Sequence, residues 1–295
     1  MTETTLVRLP SGIELDTLDL GPRDAPALIF LHGFPESRRA WRHQIAHLSP
    51  RFRCVAPDQR GYGASSKPAE TEAYALPHLV GDVLALAERL GIARFTLLGH
   101  DWGGVVAWAV AAFAPAAVER LVIANAPHPV IYQRLLHLDP AQRAAAQYVT
   151  LFRDPAIDPI VARHGLAPIL LRAFGEHDGF AGIEPAERAD LLARWQHPQA
   201  AAAMLNWYRA SPAQVPPPEA PLALPDGFAD APFPRIVAPT LVLWGEEDVA
   251  LTPANLTDLG AHVADLRIAR LPGCGHFSPW QAADAANAAL DRFLG

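Results

Sequence analysis

The stretch "FTLLGHDWGGVVAWAVAAF" runs from Phe95 to Phe113. An apolar run, Phe95 to Leu98, meets a glycine-rich turn, and an apolar helical segment follows. This is the sequence form of a nucleophile elbow, a sharp strand-to-helix turn that exposes one reactive side chain. The common elbow, G-x-S-x-G, carries serine at its centre. Here the centre is Asp101, so the chemistry must be one that needs a carboxylate where a hydroxyl normally sits.

Outward from the elbow the same alternation repeats. "APALIFLHG" (25–33) and "FRCVAPDQRGYG" (52–63) read as buried strands running into turns, and "LPHLVGDVLALAERLG" as a helix stopped by Gly91. After the elbow come the strand "ERLVIANAP", then "APTLVLWG" (238–245), "LRIARLPG" (266–273) and a closing helix, "WQAADAANAALDRFL". Strands alternating with helices imply βαβ units and a mostly parallel sheet flanked by helices, an α/β fold. The alternation fails between about Pro127 and Pro234, where "DPAQRAAAQYVTLF" and "PAERADLLARWQHPQAAAAMLNWYRA" are helical and a proline-rich passage cannot propagate helix or central strand. An excursion of about a hundred residues is too long for a loop and reads as an inserted helical cap. The expected division is a core of residues 1–128 and 235–295 and a cap of residues 129–234.

The chain has 295 residues, 51% of them hydrophobic, enough for one large domain with a sizeable core. Its formal net charge of −7 argues against a nucleic-acid or anionic-membrane partner. Two cysteines, Cys54 and Cys274, do not make a disulfide framework and suit a reducing compartment. The first residues lack the regions of a signal peptide, and no apolar run approaches the ~20 residues of a membrane span. The expectation is a soluble cytoplasmic protein.

Around Asp101 the remaining parts of a catalytic set follow in order. "HGFPES" (32–37) follows a strand and is placed to offer a backbone N–H, from Phe34, to an oxyanion; a second comes from Trp102 beside the nucleophile. "WGEEDVAL" supplies an acid, Asp248, with Glu246 and Glu247 as rivals beside it, and "GCGHF" supplies His276. Nucleophile, acid, histidine is the α/β-hydrolase order. Asn125, after "ERLVIA", stands where some relatives carry the acid, but an amide cannot serve as one. No histidine-rich ligand cluster is present, so neither a metal nor an organic cofactor is expected.

With these residues in place the chain resembles the α/β-hydrolase superfamily and, within it, the epoxide hydrolases. The likeness covers nearly the whole chain through "HGFPES", "APDQRGYGASSKP", "GHDWGG", "NAPHP", "NWYRA", "WGEED" and "GCGHF". It implies two cap tyrosines that hold the epoxide oxygen, Tyr208 in the W-Y-R context and Tyr148 in "AQYVTLFRDP". The side chains of Phe34 and Trp102 are expected to wall the substrate pocket, and Trp207 and His128 are read as packing and structural residues. The partner is then a small-molecule epoxide, and a homodimer stays open.

Aspartate suits this reaction. A serine attacking an sp³ carbon would leave an ether, whereas a carboxylate leaves an ester that water can cleave at its carbonyl, regenerating the nucleophile. The roles that follow are Asp101 as nucleophile, His276 as general base and Asp248 as its orienting acid. A tyrosine hydroxyl, of reference pKa about 10, can support the departing alkoxide without ionising at neutral pH. Two alternatives stay open at this point. A haloalkane or haloacid dehalogenase would share "GHDWGG", although Phe34 supplies no side-chain halide donor and Trp102 stands where a haloacid enzyme carries arginine. A ligand-binding member of the fold that has lost catalysis is the other.

Overall fold

The computed structural model describes residues 4–176, 180, 183–230 and 232–295. Its core strands are β1 (Thr4–Arg8), β2 (Glu14–Leu20), β3 (Ala27–Leu31), β4 (Arg53–Pro57), β5 (Phe95–His100), β6 (Val118–Ala124), β7 (Thr240–Gly245) and β8 (Leu266–Leu271). They form one sheet in the order β1-β2-β4-β3-β5-β6-β7-β8. β1–β2 and β2–β4 pair antiparallel, and the pairings from β4–β3 to β7–β8 are parallel. Each of β3, β5 and β7 is buried at every position, as parallel strands covered on both faces must be. The antiparallel β1–β2 pair was not foreseen: β1 is mostly exposed and carries no apolar run.

Helices α1 (Arg42–Leu48), α2 (Leu76–Arg89) and α3 (Trp102–Phe113) flank the first half of the sheet. Proline at the start of α2 and Gly91 at φ +69 beyond its end are the punctuation its sequence announces. Between β6 and β7 lie α4 (Pro129–Leu138), α5 (Pro140–Ala145), α6 (Tyr148–Arg153), α7 (Asp158–His164), α8 (Ala167–Glu176), α9 (Pro185–Trp195) and α10 (Pro198–Arg209), a helical cap with no strand among its described residues. After β7 come α11 (Leu259–His262), α12 (Ser278–Gln281) and α13 (Ala283–Leu294). The single closing helix expected from sequence is therefore two. The break at Ala282 lets Trp280 stack on Phe277 at 4.5 Å while α13 packs along α1.

α10 is buried almost all round because it lies between the core and the rest of the cap. Two tryptophans fasten the cap downward. Trp195 donates its indole N–H to the Pro35 carbonyl at 2.7 Å, and Trp207 to the Arg60 carbonyl at 3.1 Å. Both rings are fully buried, and truncating such a ring to alanine costs about 3–5 kcal/mol. Ion pairs from Arg39 to Glu187 and from Arg194 to Asp58 add a polar fastening on the same side. The proline-rich passage forms neither helix nor strand among its described residues. Its carbonyls are instead taken by side chains, Pro216 by Gln147 at 3.0 Å and Pro221 by the buried Arg143 at 3.1 Å. Among the described residues no helix is long and apolar enough to cross a membrane.

Candidate active site

Asp101 caps α3 with φ 49 and ψ −121, a backbone conformation that costs a non-glycine residue on the order of 1–3 kcal/mol. The surrounding glycines make it attainable. A Cβ on Gly103 would stand 2.4 Å from the Leu31 carbonyl oxygen, one on Gly104 2.2 Å from the Ala126 Cβ, and one on Gly33 2.4 Å from the Asp101 Cβ. The glycines of "GHDWGG" and "HGFPES" are therefore close-packing positions that press helix, loop and elbow together. The Phe34 backbone N–H donates to Asp101 Oδ1 at 2.7 Å. Trp102 begins α3, where helical N–H groups lack intrahelical acceptors.

His276 follows β8 and Asp248 follows β7, so the sheet delivers both beside the elbow. His276 Nδ1 lies 2.7 Å from Asp248 Oδ2, and its Nε2 lies 3.6 Å from Asp101 Oδ2, beyond hydrogen-bond length. Asp248 is locked from behind: Oδ1 accepts the N–H groups of Ala250 (2.8 Å) and Leu251 (2.9 Å), and Oδ2 accepts from Asn125 Nδ2 at 2.8 Å. Of the rival acids, Glu246 instead pairs with Arg270 at 3.0 Å. Burial alone would lower the His276 pKa, but the carboxylates of Asp248 and Asp101 outweigh it and hold the ring well above its ordinary value. Burial works to raise the Asp101 pKa; His276, His100 and the Phe34 N–H prevail and keep it below the usual carboxylate range.

Two participants escape a reading of the sequence for side-chain roles. Asn125, set aside there as an amide, carries φ 39, holds the Gly245 N–H through Oδ1 at 2.9 Å and orients Asp248 through Nδ2. His100, fully buried, presents Nδ1 to Glu36 Oε2 at 2.6 Å and Nε2 to the His276 carbonyl oxygen at 2.9 Å. Both ring nitrogens face oxygen atoms, so His100 bridges the Glu36 carboxyl group and the His276 backbone. Glu36 Oε2 also accepts the Gly33 N–H at 2.8 Å, so this pair braces the loop that presents Phe34. His32 contrasts with it: Nδ1 faces the Gly33 carbonyl while Nε2 accepts the Gln59 N–H, the pattern of a neutral ring, and burial lowers its pKa. Both residues of the Glu36–His100 pair lie inside motifs quoted above, but nothing in the sequence joins them.

A cavity of about 410 Å³ opens over Asp101 beneath the cap. Tyr148 and Tyr208 line it together with Trp102, Trp207 and two further tyrosines, Tyr74 and Tyr132, that the sequence did not single out. The Phe34 ring is packed instead against Tyr208 at 5.0 Å and Phe152 at 5.3 Å. Tyr208 sits in an aromatic cage, with Trp102 at 5.2 Å, Phe152 at 5.0 Å and Tyr148 at 5.9 Å. Burial first, and then Tyr132 and the Asp101 charge at Tyr148 and Tyr148 and the Asp101 charge at Tyr208, raise both tyrosine pKa values well above ordinary, so both remain O–H donors. Among the described residues no group of three or more histidine, cysteine or acidic side chains could hold a metal ion.

A family model described as alpha/beta hydrolase fold matches residues 26–283. Epoxide hydrolase 2 of Caenorhabditis elegans is 32% identical over 292 residues, 96% of this chain and 78% of that protein. Epoxide hydrolase 3 of Mus musculus is 30% identical over 274 residues, 91% of this chain and 70% of that protein. A solved structure described as one of the novel epoxide hydrolases of the alpha/beta hydrolases superfamily from hot-environment metagenomes is 53% identical, with a TM-score of 0.97 over 100% of this chain and 99% of that one. The structure of Bacillus megaterium epoxide hydrolase in complex with an inhibitor is 25% identical, with a TM-score of 0.85 over 98% of this chain and 99% of that one.

Proposed function

This chain belongs to the epoxide hydrolases of the alpha/beta hydrolase fold, and from that premise we propose that it opens its epoxide to a vicinal diol through a covalent ester on Asp101. The Asp101 carboxylate attacks a ring carbon, the C–O bond breaks, and the departing oxygen takes hydrogen bonds from Tyr148 and Tyr208 and a proton from one of them. Esterification removes one of the two carboxylates that raise the His276 pKa. The ring therefore gives up its proton, which restores the tyrosine hydroxyl, just when a base is needed, and Asp248 keeps it oriented. His276 then takes a proton from water, which attacks the ester carbonyl. The oxyanion is met by the N–H groups of Phe34 and Trp102, and collapse releases the diol.

The observation that carries this reading is the gathering of Asp101, Tyr148 and Tyr208 around one cavity, with His276 3.6 Å from Asp101. Nucleophile, base and donors all come from the chain, so the reaction calls for no metal or organic cofactor. We take residues 129–234 as the cap and residues 1–128 with 235–295 as the core. Cys54 and Cys274, unpaired and buried, support a cytoplasmic setting.

The test is to stop the reaction half-way. His276→Ala leaves Asp101 free to attack but removes the base, so intact-protein mass spectrometry after epoxide addition will show one substrate mass added, on the peptide containing "GHDWGG". Unmodified protein forming diol at the wild-type rate would rule out the two-step route.

A further inference from the structure

The two helices that carry the cavity tyrosines end side by side, and each ends in arginine: α6 in Arg153, α10 in Arg209. Arg153 donates through Nε to the Tyr208 carbonyl at 2.8 Å and through its terminal nitrogens to the carbonyls of Ala213 (2.7 Å) and Ser211 (2.9 Å). In the opposite direction Arg209 donates through Nε to the Phe152 carbonyl at 3.2 Å and pairs with Asp158. Each arginine thus holds the carbonyl of the residue just before the other arginine. Carbonyls at helix C-termini lack intrahelical partners and favour a cation, so both ends of the arrangement suit their places.

We infer that Arg153 and Arg209 form a reciprocal clasp that fixes the separation of the Tyr148 and Tyr208 hydroxyls and so act as positioning residues for epoxide opening. The inference rests on the two-tyrosine reading above. Arg153 lines the cavity wall, where burial of its charge lowers its pKa. A partly buried guanidinium is tolerated because three carbonyls satisfy it, and an apolar side chain would fill the same space with less desolvation. What the apolar side chain would not do is tie the Tyr208 backbone to the helix bearing Tyr148. Phe152, whose carbonyl closes the other arm, packs on both tyrosine rings, at 5.0 Å and 5.5 Å. Hydroxyls that must meet a developing alkoxide have to be held to within about 0.5 Å, and rigid second contacts supply that tolerance.

A double-mutant cycle tests this by rapid-quench kinetics, with ester formation from the epoxide and ester hydrolysis measured separately. In the wild-type background Arg153→Met will slow ester formation about tenfold, as coupled neighbours typically do, and leave hydrolysis within about twofold. In the Tyr208→Phe background the same substitution will change ester formation by less than about twofold, because the hydroxyl it positions is gone. Additive effects, or equal slowing of both steps, would make the arginines general scaffold and overturn the inference. Arg209→Met breaks the opposite arm and supplies the same cycle should Arg153→Met not be recovered folded. If Tyr208→Phe alone forms ester at the wild-type rate, it is the two-tyrosine reading that has failed, and the clasp falls with it.

Discussion

Asp101, Asp248 and His276 follow the ends of β5, β7 and β8, whereas Tyr148 and Tyr208 ride on cap helices α6 and α10. The first group is placed by backbone. Sheet register brings the strand ends together, and main-chain N–H groups fix Asp101 Oδ1 and Asp248 Oδ1 at 2.7–2.9 Å. The second group is placed by side chains: an aromatic cage around Tyr208, indole N–H bonds to the core, and arginines reaching for carbonyls. Backbone placement leaves little for side chains to carry, Asn125 behind Asp248 being the exception. Side-chain placement can be retuned one residue at a time, which suits a region that shapes a substrate pocket. The chemistry divides along the same line, with ester hydrolysis assigned to the core and support of the departing oxygen to the cap.

Asp248→Asn challenges that division most strongly. The amide removes the charge that sets the His276 tautomer, so hydrolysis should fall on the order of 10⁴-fold, as loss of the orienting acid does in serine triads. Ester formation should fall far less, and ester should accumulate in the steady state. Equal slowing of both steps would break the comparison. Asn125→Ala sharpens it. Losing one hydrogen bond to the Asp248 carboxylate should slow hydrolysis by about tenfold to a hundredfold and spare ester formation, as single-turnover assays will show.

The smallest effect concerns stability, where the core–cap seam is also informative. His128 precedes α4, is buried among Trp108, Phe233 and His262, and has both ring nitrogens unpaired. Burial and then His262 lower its pKa to about 3. The unfolded ring titrates near its ordinary ~6.5, so the stability contributed by the neutral ring is complete above that pH. It is lost as pH falls from ~6.5 toward 3, by up to ~1.4 kcal/mol per pH unit. His128→Phe should flatten that acid limb in urea titrations between pH 4 and 7 (roughly the window in which the two states differ in protonation) without changing ester hydrolysis at neutral pH. An unchanged limb would show that the ring is not the titrating group.

How much of this was readable beforehand follows the same divide. "GHDWGG" and "GCGHF" are short because turns at strand ends are local, so Asp101 and His276 stand out from sequence. Asp248 was preferred there to Glu246 and Glu247 on the loop motif alone, whereas the direction of the loop after β7 is what brings one carboxylate to 2.7 Å from His276 and turns Glu246 toward Arg270. The cap gave two helical stretches, each split in the structure, "DPAQRAAAQYVTLF" near Gln147 and the longer one at His197–Pro198. Helices α4, α7 and α8 carried no separate signal. Tyr132 lies in no quoted motif, and Arg153, although it lies inside "AQYVTLFRDP", has meaning only through the tertiary packing that brings it to the Tyr208 carbonyl. The Glu36–His100 pair joins a loop to the end of β5 across 64 positions and was equally silent.

The division of labour is tested most directly by Tyr148→Phe combined with Tyr208→Phe, with an epoxide and a bromoalkane measured side by side in pre-steady-state kinetics. The account predicts that ester formation from the epoxide falls by at least ~10²–10³, the worth of one lost oxyanion-type donor. Hydrolysis of the ester should stay at the wild-type rate, as should any ester formation from the bromoalkane, whose halide leaves without a proton. A double variant that opens the epoxide as fast as wild type would contradict it, leaving the tyrosines as packing and the cap without a part in the chemistry.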